Sequence, residues 1–331
     1  MYYSYFNMIF ILTLVFGSFL SISSSFWFSA WAGLELNLIS FIPLIISSKS
    51  KYSSEAALKY FLIQALGSSM IIFSSSLLLF SNFIFSILLS LSLLLKLGAA
   101  PFHFWFPQVM EGMMWPQAIM LMTIQKMAPL FLLSYMALLI NNSIVIYLSS
   151  MFSAIIGAIG GLNQISLRKI LSFSSINHLA WMLSTLMISE NIFFTYFILY
   201  CFISSSIALV FFSGQFFFFN QLTNSKLPNL LKILSIMSIL SLGGLPPFTG
   251  FIPKWLIIQE LAAMNSFVLL AVLISSALLT LYYYLRLSFS IFVISSSKIK
   301  PLLLKKTVFK YESFLYMNFL GLLIPSCLVL I

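Results

Sequence analysis

Apolar runs about as long as a membrane crossing follow one another along almost the whole of this 331-residue chain, and they decide what it can fold into. A hydrocarbon core roughly 30 Å thick needs about twenty mostly apolar helical residues to cross it. Short Ser, Asn, Pro and Lys clusters separate the runs, and no interval is long enough to fold as a soluble domain. Charge is correspondingly scarce: 7% of residues are charged, 61% are hydrophobic, and the mean hydropathy is +1.10. A soluble domain carries about a quarter charged residues, so this chain could not cover its own surface in water. The sequence reads as an all-α, polytopic membrane protein. Its spans fall near residues 6–24, 26–46, 56–80, 83–106, 116–139, 143–162, 169–188, 191–213, 229–262, 264–288 and 312–331, eleven transmembrane helices in all.

The net charge of +10 is spread over short loops rather than gathered in a basic, aromatic-interleaved patch, so topology explains it better than a nucleic-acid partner does. Loops on one side of the chain receive Lys49, Lys51 and Lys59, then Arg168 and Lys169, then Lys226 and Lys232, and finally Arg286 and the Lys298–Lys310 group. Loops on the other side receive none. The positive-inside rule then puts the N-terminus on the inner side and the C-terminus on the outer. Cys201 and Cys327 stand alone in apolar segments, with no spacing suited to a metal or an iron–sulfur cluster. Trp27, Trp31, Trp105 and Trp115 fall where aromatic side chains can anchor at an interface.

Three basic residues do not fit the loops. Lys96, Lys126 and Lys254 lie inside spans, as does Glu35, about nine residues or roughly 14 Å into its helix. Such a group costs at least about 2.5–3.5 kcal/mol at a helix centre, so its default reading is a proton or ion path. A buried pair that only fixes packing is the plainer alternative, but three lysines and one glutamate on four helices cannot all pair off. Prolines stand beside each lysine. A helix-interior proline lacks the N–H for the carbonyl four residues earlier, so Pro101 frees Leu97, Pro129 frees Gln125, and Pro246 and Pro247 free Leu242 and Gly243. Pro253 directly precedes Lys254. Leu97-Gly98-Ala99-Ala100-Pro101-Phe102 and Leu242-Gly243-Gly244-Leu245-Pro246-Pro247-Phe248 predict broken helices five spans apart, as inverted repeats at a transport site would have.

Taken in order, several segments resemble the NADH dehydrogenase subunit 2 family, antiporter-like membrane subunits of respiratory complex I. They are Gly33-Leu34-Glu35-Leu36-Asn37, Ala57-Leu58-Lys59-Tyr60-Phe61, Lys96 through Trp105, and Gln125-Lys126-Met127-Ala128-Pro129. Gly160 through Gln164, Leu167 through Leu171, Gly243 through Phe251 and Pro253-Lys254-Trp255 complete the set. The match runs from about Trp27 to Arg286, and the length resembles the shortened animal mitochondrial form, an arthropod's among them. The resemblance implies two inverted five-helix units, near residues 6–139 and 143–288, with a final helix at 312–331. It implies a proton path in which Lys96 pairs with Glu35, Lys126 connects the units and Lys254 lies towards the outlet. His103 beside the first break and His178 in the seventh span are proton-relay candidates or structural imidazoles, and both readings stay open. Gln108 stands where many relatives carry glutamate, and the nearby acid here is Glu111.

The resemblance also implies a mitochondrial inner-membrane protein with its N-terminus in the matrix and its C-terminus towards the intermembrane space. Its partners would be the other membrane and peripheral subunits of complex I, with lipid, cardiolipin included, around it. NADH, FMN, iron–sulfur clusters and ubiquinone would belong to those partners, and this chain would carry no redox chemistry, bind no cofactor and hold no metal. The chain would be part of an enzyme, the proton-translocating NADH:ubiquinone reductase. The alternatives are a stand-alone cation/proton antiporter of related fold, whose sodium site would want more carboxylates than Glu35, and a purely structural membrane subunit.

Overall fold

A computed structural model describes residues 5–47, 50–77, 82–137, 140–223 and 229–294. The described chain is almost entirely helical. Its first half comprises α1 (Tyr5–Ser23), α2 (Trp27–Ile46), α3 (Lys51–Leu77), α4 (Asn82–Leu97), α5 (Trp105–Gly112), α6 (Trp115–Met122) and α7 (Ile124–Ala137). Its second half comprises α8 (Ile140–Gly161), α9 (Leu167–Thr185), α10 (Glu190–Gly214), the short α11 (Phe219–Thr223), α12 (Asn229–Gly243), α13 (Phe251–Ala263) and α14 (Phe267–Ile294). Among the described residues, seven helices are long and apolar enough to cross a membrane. Helices also occupy the expected spans at 83–106, 169–188 and 229–262. The span at 312–331, Lys49 and Lys298–Lys310 lie outside the described residues. The count of eleven spans therefore stays an expectation.

Serine is tolerated in these apolar helices because its hydroxyl bonds back to a carbonyl one turn earlier, as Ser90 does to Ile87 and Ser174 to Leu171. Close packing starts with α1 against α2. A methyl group on Gly33 would meet the backbone of Ser21 at 2.7 Å and of Gly17 at 2.8 Å, so only glycine lets the two backbones approach this far. Gly33→Ala is expected to destabilise the chain by about 1–3 kcal/mol, the usual cost of overpacking. A thermal melt of the detergent-solubilised protein would measure it, and an unchanged midpoint would refute it.

Both expected breaks are present. α4 stops at Leu97 because Gly98 takes a left-handed φ of 70°. The Ala99 N–H then bonds to Leu94 O and the Gly98 N–H to Leu95 O, which is a Schellman stop. The span expected at 83–106 consequently halts at 97 and resumes only at Trp105, continuing to Gly112. α12 also stops at a left-handed glycine, Gly244, whose φ is 78° and whose N–H reaches Leu240 O and Ser241 O, the simpler αL stop. A third break, which the sequence did not announce, falls at Thr123 between α6 and α7, and Pro129 lies inside α7 as expected. The Thr123 hydroxyl bonds to Ile119 O, which helps end α6 one turn before Lys126.

Two tryptophans read as interface anchors are core pins instead. Trp105 Nε1 donates to Leu95 O at the end of α4, and Trp115 Nε1 to Phe216 O, so both indoles are buried where their N–H has a partner. The described basic residues outside the spans gather at one end, as the loop count expects. Lys169 pairs with Glu111 at 2.7 Å, Arg168 donates to Met113 O at 2.6 Å, and Arg286 donates to Gln164 O at 3.4 Å. A cleft of about 650 Å³ at this end holds Glu55, Lys59, Gln108, Glu111 and Arg168.

Candidate functional site

The site is organised by α9, whose residues 170–185 are all buried except the partly open Phe173. Ser175, His178 and Trp181 recur every three residues and so share one side of the helix. The Ser175 carbonyl accepts from Lys126 Nζ at 3.3 Å. His178 Nδ1 lies 2.8 Å from the Tyr196 hydroxyl, and its ring is 5.2 Å from that of Tyr200. The Trp181 ring centre is 6.0 Å from Lys254 Nζ. Six residues of helix rise about 9 Å, so Lys126 and Lys254 contact this face less than two turns apart with His178 between them. The imidazole interacts electrostatically with both lysines.

Lys254 sits in the first turn of α13, just past the break, and its ammonium turns back to the end of α12. It donates to Gly243 O at 2.9 Å and Leu242 O at 3.4 Å. These are the two carbonyls that Pro246 and Pro247 leave without helical partners. They also form the negative end of the α12 dipole, a favourable place for a cation. Around Lys254 lies a small gap walled by Ser174, Asn177, His178, Trp181, Thr280 and Tyr284.

Lys126 is 2% exposed and has no carboxylate within 4.0 Å among the described residues. Its ammonium donates to Ser175 O and to Tyr200 Oη, each at 3.3 Å, and lies 5.0 Å from the Phe106 ring centre and 5.1 Å from that of Tyr200. Carbonyl, hydroxyl and aromatic faces together replace a counter-ion. The same shell also suits the neutral amine, whose lone pair could accept the Tyr200 hydroxyl proton while an N–H still donates to Ser175 O. A site that accommodates both protonation states can take up a proton and release it.

Lys96 and Glu35 form no ion pair within 4.0 Å in this structure, contrary to the pairing that the resemblance implies. Among the described residues the ion pairs are Lys59–Glu55 at 2.6 Å and Lys169–Glu111, both at the basic end. The reason lies in how Lys96 is threaded. It is the penultimate residue of α4, and its stem runs over Gly67 of α3, where a methyl group would come within 2.8 Å of Lys96 Cγ. Glu35 lies half-buried on α2 and interacts with Lys96 and with Tyr60 only across a longer gap. His103 Nδ1–H donates to Pro101 O at 3.2 Å, and its ring packs on Phe104, so it braces the first break.

Several polar residues in this line were not singled out as site residues in the sequence. Tyr196 and Tyr200 are four apart on α10 and face His178 and Lys126. Gln64 of α3 donates to the Lys96 carbonyl at 3.1 Å. Tyr60 donates to Gln125 Oε1 at 3.0 Å, and Gln125 Nε2 donates to Asn37 Oδ1 at 2.8 Å. An amide in the middle of an apolar helix is the signal that could have found Gln64 and Gln125, because its burial requires partners.

Buried cations beside helix breaks, in a described chain that is almost entirely helical, are features that an ion-translocating membrane protein of antiporter type would need. Residues 23–280 match the family model described as NADH:quinone oxidoreductase/Mrp antiporter, transmembrane. The chain is 49% identical over 302 residues to NADH-ubiquinone oxidoreductase chain 2 of Anopheles gambiae, covering 88% of this chain and 87% of that one. It is 47% identical to the protein of the same name from Aedes aegypti, over 98% of each. In fold it is similar to a chain of respiratory complex I from Thermus thermophilus, with a TM-score of 0.86 at 24% identity, over 97% of this chain and 79% of that one. The chain belongs to the NADH:quinone oxidoreductase/Mrp antiporter membrane family, among its NADH-ubiquinone oxidoreductase chain 2 members.

Proposed function

We propose that this chain is a proton-translocating membrane subunit of a respiratory NADH:ubiquinone oxidoreductase, and that protons move along a buried line from Glu35 and Lys96 through Lys126 and His178 to Lys254. The observation that carries the reading is the α9 face, on which Ser175, His178 and Trp181 meet Lys126, the imidazole hydroxyl partner Tyr196, and Lys254 in turn. Neither lysine on that face has an acid within 4.0 Å among the described residues, so its proton is held by carbonyls and hydroxyls. Such acceptors hold an ammonium without fixing it in the charged state. Gains and losses of charge at Glu35 and Lys96 would drive the proton onward, because charges in a low dielectric influence each other strongly. His103 serves the line as a brace of the first break.

The two broken segments with matching glycine stops support two inverted units, near residues 6–139 and 143–288. The basic end would face the mitochondrial matrix, with the N-terminus on that side of the inner membrane and the C-terminus on the intermembrane-space side. NADH, FMN, iron–sulfur clusters and ubiquinone would be held by the partner subunits, and anionic lipid such as cardiolipin would meet the basic end. In membranes carrying the assembled complex, Glu35→Gln and Lys96→Met are each expected to lower proton pumping and coupled NADH oxidation several-fold. Normal pumping by variants that assemble would overturn the proton line. Loss of assembly in every charge-removing variant would instead favour a purely structural role for these groups.

A further inference from the structure

The Gln125 side chain is tied at both ends. Its Oε1 accepts from the Tyr60 hydroxyl of α3 at 3.0 Å, and its Nε2 donates to Asn37 Oδ1 of α2 at 2.8 Å. Gln125 is the second residue of α7, directly before Lys126 and two residues after the break at Thr123. The ladder is interrupted at this point, where the Lys126 N–H bonds to Thr123 O only three residues back. Each anchor of the amide belongs to the neighbourhood of Glu35 and Lys96. Asn37 lies two residues after Glu35 on the same helix. Tyr60 interacts with Glu35, and one turn further along α3 Gln64 holds the Lys96 carbonyl at 3.1 Å.

We infer that Gln125 is a positioning residue that couples the Glu35–Lys96 region to Lys126, its amide acting as a strut from α2 and α3 to the start of α7. The inference rests on the proton line proposed above. A change in charge at Glu35 alters the field on the Tyr60 hydroxyl and the packing of α2 against α3. The doubly held amide transmits that change to the first turn of α7, and the Lys126 ammonium moves relative to Ser175 O and Tyr200. An amide carries no proton itself, so the role is mechanical and electrostatic.

The test compares Gln125→Leu, Tyr60→Phe and Lys126→Met in the complete complex, reading assembly, NADH oxidation and the ratio of protons pumped to electrons transferred. Gln125→Leu and Tyr60→Phe are expected to assemble and oxidise NADH, with the ratio falling to that of Lys126→Met. The pair Glu35→Gln with Gln125→Leu should lose no more than the worse single variant, since both interrupt one link. A full ratio in Gln125→Leu or Tyr60→Phe, with Lys126→Met impaired, overturns the strut. A full ratio in Lys126→Met overturns the proton line itself. Should Gln125→Leu fail to assemble, Tyr60→Phe decides, because it removes one hydroxyl and keeps the ring that packs against Phe41 and Trp105.

Discussion

Lys126→Met is expected to leave the complex assembled and to lower proton flux through this chain by about two orders of magnitude. That is the low end of what a positioned proton-transfer group contributes. The structural side of the change is mild. Methionine matches the apolar stem of lysine, and replacing a buried charge by a well-packed apolar group is often neutral or stabilising. The groups left behind lose little, because the Ser175 carbonyl lies within α9 and Tyr200 stands beside His178. The functional side is severe, because among the described residues no other lysine, histidine or carboxylate then bridges the gap between Glu35–Lys96 and His178–Lys254. Proton uptake and NADH oxidation measured on the same vesicles would separate the two effects. Full pumping in an assembled variant would refute the expectation.

Gly250→Ala should have the opposite profile. Gly250 precedes α13, and a methyl group there would collide with the carbonyl of Ser241 in α12. Its φ of −69° suits any residue, so the demand for glycine is purely one of space. A backbone carbonyl inside a packed helix cannot swing aside as a side chain can. The expected cost is about 3 kcal/mol, at the upper end of the usual range for overpacking. The two halves of the broken segment would separate and carry Lys254 away from Leu242 and Gly243. A native gel should show the variant depleted from the complex, with a lowered thermal midpoint for whatever remains. Normal assembly together with normal pumping would show that the break tolerates widening.

The two predictions separate what is needed to build the site from what is needed to run it. The first is expected to remove one lysine from the proposed proton line without disturbing the helices around it. A single methyl group can spoil the helix break while every ionisable residue stays in the chain. Gly33→Ala belongs with the second kind, and the Glu35 and Lys96 substitutions belong with the first.

Much of this was legible in the sequence for plain physical reasons. A lysine in an apolar run stands out because lipid penalises it, so Lys96, Lys126 and Lys254 could be named without coordinates. The carbonyls freed by Pro246 and Pro247 follow from the missing N–H of proline, and Lys254 is bonded to those two carbonyls. Elsewhere the same logic stopped short. Pro129 lies inside α7, where its missing N–H leaves the Gln125 carbonyl without a helical donor, but no proline marked the further break at Thr123. Trp105 and Trp115 were read as interface anchors because composition does not tell a buried indole from an interfacial one. Their hydrogen bonds to Leu95 O and Phe216 O settle the matter, and the second spans a separation of 101 residues.

By itself the sequence determined that the chain crosses a membrane, where two of its helices break and which charges are out of place. Each of these follows from local terms: the cost of a charge in lipid, the missing donor of proline and the left-handed freedom of glycine at Gly98 and Gly244. Only the tertiary structure decided who holds those charges. Lys126 rests on Ser175, 49 residues away, and on Tyr200, 74 away, while Glu35 and Lys96 stay beyond ion-pair distance. Partners so distant in sequence are chosen by how helices pack, and that depends on glycine contacts, helix stops and side-chain volumes acting together.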